Sequence, residues 1–276
     1  MSEKIWFITG TSRGFGRVWA EAALKRGDKV AATARNVNSL AALTQTFGSS
    51  VMPLGLDVAD RAAVYAAIEQ AHKHFGRLDV VVNNAGYGLI GTVEEISEEQ
   101  ARSQMETNFF GALWVIQAVL PILRAQKSGH ILSVTSLGGI VAYPTGGVYG
   151  ASKWALEGLS ESLSREVADL GIKVTMIEPG SYDTDWRTSS AKHSTKMVAY
   201  DGLRAKMAPM LAARVLGNPA ATVTAVLAVV DSATPPLRLL LGGTALGAVE
   251  QCYADRLATW KAWEEVSKGA QGKMPG

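Results

Sequence analysis

The chain has 276 residues, 47% of them hydrophobic and 19% charged, with a formal net charge of +2 at pH 7. That is enough apolar chain for one large domain over residues 1–276, and the scattered Lys and Arg exclude an electrostatic case for nucleic acid or an anionic membrane. Cys252 is the only cysteine, which excludes an intramolecular disulfide and suits a reducing compartment, the cytoplasm, with Cys252 itself read as a small buried apolar side chain.

The first apolar run, residues 4–9, reads as a strand and is too short for the apolar region of a signal peptide. It leads through Thr9-Gly10-Thr11-Ser12-Arg13-Gly14-Phe15-Gly16 into an amphipathic helix over 15–26. Glycine is needed where a backbone turns tightly and approaches a pyrophosphate with no Cβ in the way, and the helix N-terminus then faces the phosphates. Gly10, Ser12, Arg13, Gly14, Phe15 and Gly16 are therefore candidate dinucleotide contacts. The second strand, 29–34, ends in Ala32-Thr33-Ala34-Arg35-Asn36. An acidic residue there would bind the adenine ribose hydroxyls and repel a 2′-phosphate. Arg35, with Arg13 from the other side, can instead pair with that phosphate, which points to NADP(H).

A helix over 38–47 and a third strand over 51–56 follow, the strand ending at Leu56-Asp57-Val58. Asp60 is placed to cap a helix over 60–75, and a fourth strand, 79–83, runs into Asn83-Asn84-Ala85-Gly86. Ser97 with Gln100 forms a capping box for a helical stretch over 97–125, within which Pro121 is expected to kink or break it into two helices. Asn108 lies in Glu106-Thr107-Asn108-Phe109 of that stretch. The fifth strand, 129–135, precedes Ser136, and a helix over 149–170 opens on Tyr149-Gly150-Ala151-Ser152-Lys153. The sixth strand, 173–178, runs into Pro179-Gly180-Ser181-Tyr182-Asp183-Thr184. Over 181–217 periodicity lapses, so a long functional loop beside the substrate is expected. Asn218 caps a helix over 219–230 and a seventh strand occupies 237–241. The apolar stretch 225–230 is far below the roughly 20 residues of a membrane span. A helical extension over 243–268 carries Trp260 and Trp263, read as packing on the domain edge or a neighbouring subunit, with a substrate lid as the alternative.

This alternation of short β-branched runs and helical stretches predicts an α/β fold: a Rossmann-type, doubly wound, seven-stranded parallel sheet with helices on both faces. His72, His74, His130 and His193 are not gathered by their spacing, so all four read as surface residues and no metal is expected.

The five segments at the strand ends together resemble the short-chain dehydrogenase/reductase family, over roughly residues 4–245. The T-G-x-x-x-G-x-G and Y-x-x-x-K patterns with Arg35 are similar to its NADP(H)-preferring branch, near bacterial hydroxysteroid and retinol dehydrogenase-like members. The resemblance implies a catalytic set of Asn108, Ser136, Tyr149 and Lys153. Carbonyl reduction needs a proton beside the developing alkoxide, and Tyr149 can supply it. Lys153, one helical turn on, is expected to favour the phenolate, and in the family it also binds the nicotinamide ribose. Ser136 would donate to the substrate oxygen, and Asn108 matches the residue that holds a water behind the lysine. Asp57 and Val58 would meet the adenine, Asn84, Ala85 and Gly86 would line the cofactor, and Pro179, Gly180 and Thr184 would hold the carboxamide end.

For substrate, Ser136, Tyr143, Tyr149 and Trp186 are the named contacts. Tyr87, Leu89, Ile90, Leu137, Val141, Met197, Tyr200, Met207 and Met210 would make the pocket apolar. The expected activity is NADPH-dependent, reversible reduction of a small hydrophobic ketone or aldehyde to its alcohol. A non-catalytic NADP(H)-binding sensor and a cofactor-independent lyase on the same fold stand as alternatives. A homodimer, a homotetramer and a monomer all stay open.

Overall fold

A computed structural model of the chain describes residues 3–184 and 190–272. Strands β1 (Ile5–Ile8), β2 (Lys29–Ala34), β3 (Val51–Gly55), β4 (Val80–Asn83), β5 (Gly129–Val134), β6 (Ile172–Pro179) and β7 (Arg238–Leu241) form one parallel sheet. Its order is β3-β2-β1-β4-β5-β6-β7. The order reverses direction between β1 and β4, and such a switch opens a crevice above the carboxyl ends of the strands.

Both sheet faces are covered, because neighbouring strand residues point to opposite sides. Ile5 and Phe7 pack with α3 (Arg61–Phe75) and α5 (Gly111–Gln126) on one face. Trp6 and Ile8 pack on the other with α1 (Gly14–Lys25), α2 (Ala41–Phe47) and α8 (Thr222–Asp231). Trp19 of α1 is fully buried and its indole N–H donates to Thr222 Oγ1 at 2.8 Å, so that core is pinned as well as filled. Asp60 and Asn218 cap as expected, accepting from the backbone N–H of Ala63 at 3.0 Å and of Ala220 at 2.9 Å.

Three expectations change. The stretch over 97–125 does not break at Pro121. It divides earlier, into α4 (Glu98–Met105) and α5, through a π turn over Glu106–Phe110. Pro121 and Gln117, whose carbonyl Pro121 cannot bond, both face solvent, where water can satisfy that carbonyl. The resulting rod, Glu98–Gln126, is long and apolar enough by length and composition to cross a membrane, but 44% of its most apolar window is buried in the domain. Second, the expected loop over 181–217 contains α7 (Asp201–Ala212) and a two-residue parallel pairing of Lys192–His193 with Leu89–Ile90. None of the α7 residues is buried. A helix without a buried face imposes no apolar period on its sequence. Third, the C-terminal extension is two helices, α9 (Ala245–Ala262) and α10 (Glu264–Gly269), on which Trp260 and Trp263 are each 62% exposed.

Candidate active site

The loop between β1 and α1 carries Gly10 at φ 71° and Gly14 at φ 59°, left-handed values that favour glycine. Gly16 is needed for another reason: a Cβ there would collide with the Gly10 carbonyl and the Asn84 side-chain amide. The loop is held from β4. Thr9 Oγ1 accepts the backbone N–H of Asn84 and of Ala85, each at 2.9 Å, while Asn84 Nδ2 donates to the carbonyls of Thr9 at 2.8 Å and Gly10 at 3.0 Å. The Phe15 ring stacks on Trp19 and meets the edge of Tyr182, with centroids 5.2 Å apart in both pairs. Tyr182 thus ties the end of β6 to the glycine loop, a contact its place in the sequence does not announce.

Arg35 stands exposed at the end of β2, and among the described residues it forms no ion pair. Asn36 beside it accepts the Asn38 N–H at 3.1 Å. Asp57 is exposed after β3 with Oδ1 accepting the Ala59 N–H at 3.0 Å.

At the other end, Ser136 follows β5 and α6 (Gly147–Glu166) begins opposite it. Ser136 Oγ accepts the Gly138 N–H at 3.0 Å, and the Ser136 hydroxyl acts to lower the Tyr149 phenol. Burial pushes the Tyr149 phenol up to about 12 despite the Ser136 contact. The expected lowering by Lys153 is not found: the ammonium donates to the Val134 carbonyl at 2.8 Å and is not among the groups that shift Tyr149. Burial pulls Lys153 itself down to about 8, with Glu157 acting in the opposite direction. Lys153 is 5% exposed. Asn108 sits in the π turn, buried; Oδ1 accepts the Tyr87 N–H, and Nδ2 donates to the Tyr87 carbonyl and Ser152 Oγ, all at 3.1 Å. Its side chain is thus committed to protein groups. Ser152, which closes this network, was not singled out from the sequence.

These features share one cleft of about 1970 Å³. Every candidate cofactor residue lines it except Gly16, which lies behind the loop it shapes. A volume about twice the upper end of an ordinary small-molecule pocket, about 1,000 Å³, leaves room for a dinucleotide and a second molecule. Ser136, Tyr143 and Tyr149 line the substrate end with Tyr87, Leu89, Ile90, Leu137, Val141, Met207 and Met210. Trp186 falls outside the described residues. Met197 and Tyr200 do not line the cleft. They belong to a latch instead: Glu95 Oε1 accepts from the Met197 N–H and pairs with Arg204 of α7, each at 2.7 Å, and Tyr200 bonds Glu94. The backbone N–H bonds from Met197 and from Thr92, the latter at 2.9 Å, together with Arg204 hold Glu95 down at about 2. Lys192, Leu211, Arg214 and Val215, not foreseen, also line this end.

Among the described residues no three His, Cys, Asp or Glu side chains gather as metal ligands. His130, expected at the surface, is 4% exposed; its Nε2 lies 2.9 Å from Thr175 Oγ1, and burial pulls it down to about 4. Cys252 is a half-buried thiol against the Ile140 carbonyl.

A family model described as short chain dehydrogenase matches residues 4–195. The chain is 43% identical over 268 residues to the oxidoreductase BOA17 of Botryotinia fuckeliana, covering 96% of this chain and 98% of that protein. It superimposes on the crystal structure of a short-chain dehydrogenase from Streptomyces avermitilis with a TM-score of 0.91 and 35% identity, over 98% of each chain. An alcohol dehydrogenase from Thermococcus sibiricus, complexed with 5-hydroxy-NADP, matches with a TM-score of 0.73 and 28% identity, over 87% of this chain and 96% of that one.

Proposed function

From the premise that the chain belongs to the short-chain dehydrogenase family of nicotinamide-dependent oxidoreductases, we propose that it is an NADPH-dependent reductase of small hydrophobic ketones or aldehydes, reversible to the alcohol. The observation that carries this reading is that Ser136, Tyr149 and Lys153 line one end of the same cleft that bears the glycine loop and Arg35.

The bound cofactor supplies the hydride. The Tyr149 hydroxyl, protonated throughout the neutral range, donates its proton to the oxygen of the reduced carbonyl. Ser136 bonds the same oxygen and stabilises charge as it grows. Lys153, one helical turn from Tyr149 and charged below about pH 8, serves in its other expected role, holding the nicotinamide ribose. Asn108 fixes the Tyr87 backbone and Ser152, and so the wall beside Lys153, rather than touching the reacting atoms. Arg35 and Arg13 select a 2′-phosphate, and the aliphatic and Met side chains select an apolar substrate. The test is kcat/KM for a panel of hydrophobic ketones with NADPH and with NADH. Turnover preferring NADPH is expected, while cofactor binding without turnover, or halide release without cofactor, would overturn the reading.

A further inference from the structure

Beyond Tyr149 and Lys153, the same face of α6 carries Glu157, again four residues on. Glu157 is 9% exposed, and it meets Glu178 of β6, which is 1% exposed, within hydrogen-bonding reach. Glu157 Oε1 and Glu178 Oε1 are both buried and without a hydrogen-bond partner. An ionised carboxylate can only accept, so neither can satisfy the other while both are charged. Arg238 of β7 reaches Glu157 Oε2 at 3.2 Å and Glu178 Oε1 at 3.5 Å, but its other arm is drawn out to Glu161 at 2.7 Å. The Thr135 hydroxyl has one hydrogen, and the Ile177 carbonyl takes it at 3.1 Å. One proton shared between the two carboxyls is the donor both lack. Glu178 is the more buried of the two and stands farther from Arg238, at 3.5 Å against 3.2 Å, so the proton belongs on Glu178 and the charge on Glu157; burial and the charge of Glu157 raise Glu178 in the same sense.

We propose that Glu157 and Glu178 form a proton-sharing carboxyl pair that, tied to Arg238, places one negative charge directly behind Lys153, making Glu157 a positioning residue for that lysine. The other charged groups around the pair are Glu161 and Arg165 on α6, which bond each other at 2.6 Å toward solvent. On the opposite flank of α6, the buried residues of α4 and the π turn are the uncharged Gln104 and Asn108. The nearest anion to Lys153 along its own helix is therefore Glu157, and it is the group that acts to keep the lysine charged. The inference rests on the reading of Lys153 as part of the catalytic set, and the test separates the two.

The Lys153 titration is measured on the full chain by competitive labelling with acetic anhydride across pH, read by mass spectrometry, beside the pH profile of ketone reduction. Glu157→Gln is expected to move the Lys153 titration to lower pH by about half a unit or more, and to move the alkaline limb of the profile with it. Glu178→Gln leaves the charge on Glu157 and is expected to produce no downward shift. An unmoved titration in Glu157→Gln, or an equal downward shift in both variants, overturns the proposal. A titration that moves while the reduction profile stays put supports the carboxyl pair and removes Lys153 from the chemistry. Where Glu157→Gln does not fold, Glu178→Gln decides alone: a downward shift overturns the proposal, an unchanged or raised titration supports it.

Discussion

Burial dominates both ionisable groups beside the substrate end, and it pushes them in opposite senses, Tyr149 up to about 12 and Lys153 down to about 8. A phenol that keeps its proton at neutral pH suits an acid, and a lysine that loses its charge as pH rises through about 8 sets the limit on the alkaline side. Reduction rates measured from pH 6 to 10 should accordingly fall above about 8; a profile flat to pH 10 would show that the charge on Lys153 is not used. Arg35 is the corresponding group at the cofactor end. Charge-assisted bonds to a phosphate contribute about 1.5–3 kcal/mol each, so Arg35→Ala should cut the NADPH-to-NADH ratio of kcat/KM by roughly 10- to 100-fold. Retention of the full ratio would assign the selectivity elsewhere. That Ser136, Tyr149, Lys153 and Arg35 line one cleft was legible because each follows the carboxyl end of a strand of a parallel sheet. The Thr9–Asn84 clamp and the Tyr182–Phe15 contact were not, since their partners lie 75 and 167 positions away and no local pattern links them. His130 was misplaced for a related reason: its burial depends on the Thr175 hydroxyl across the β5–β6 pairing.

At the level of elements, caps and strand ends were readable and tertiary overrides were not. Pro121 is a valid breaker signal, defeated because it faces water, while the π turn that does divide the rod carries no signature beyond holding Asn108. The α7 helix left no period because no residue of it is buried; polar contacts through Glu95 fasten it to the domain. Glu95→Gln should therefore loosen the substrate end alone, raising KM for bulky ketones several-fold with cofactor affinity unchanged, and equal losses of both would refute a local latch. The Glu95 carboxyl ionises in the fold at about 2 against an ordinary 4.5. Its contribution is thus present above pH 4.5 and is lost as pH falls toward about 2, so α7 should resist limited proteolysis at pH 5 as well as at pH 7. Gly16→Ala makes the opposite prediction: with the Gly10 carbonyl in the way of the new Cβ, cofactor affinity measured by fluorescence titration should drop at least tenfold while KM for ketone at saturating cofactor changes little.

For the molecule as a whole, the parallel sheet could be read from its alternating β-branched runs, but its strand order could not. The reversal between β1 and β4 is what brings glycine loop, Arg35, Ser136 and Tyr149 to one edge. A ligand that spans this edge binds the folded state alone, so NADPH at about 100 times its Kd should add about 2.7 kcal/mol and raise Tm by roughly 5–10 °C, with NADH doing less at equal concentration. Calorimetry showing equal shifts for the two would contradict the assignment of the 2′-phosphate site. Proton donation by Tyr149 is tested most directly by NADPH oxidation with a hydrophobic ketone by wild type and Tyr149→Phe, with NADPH binding measured in both. Unchanged binding and a fall in kcat of about 10²- to 10⁴-fold are expected; a variant that binds NADPH and reduces the ketone at the wild-type rate would show that the proton comes from another group.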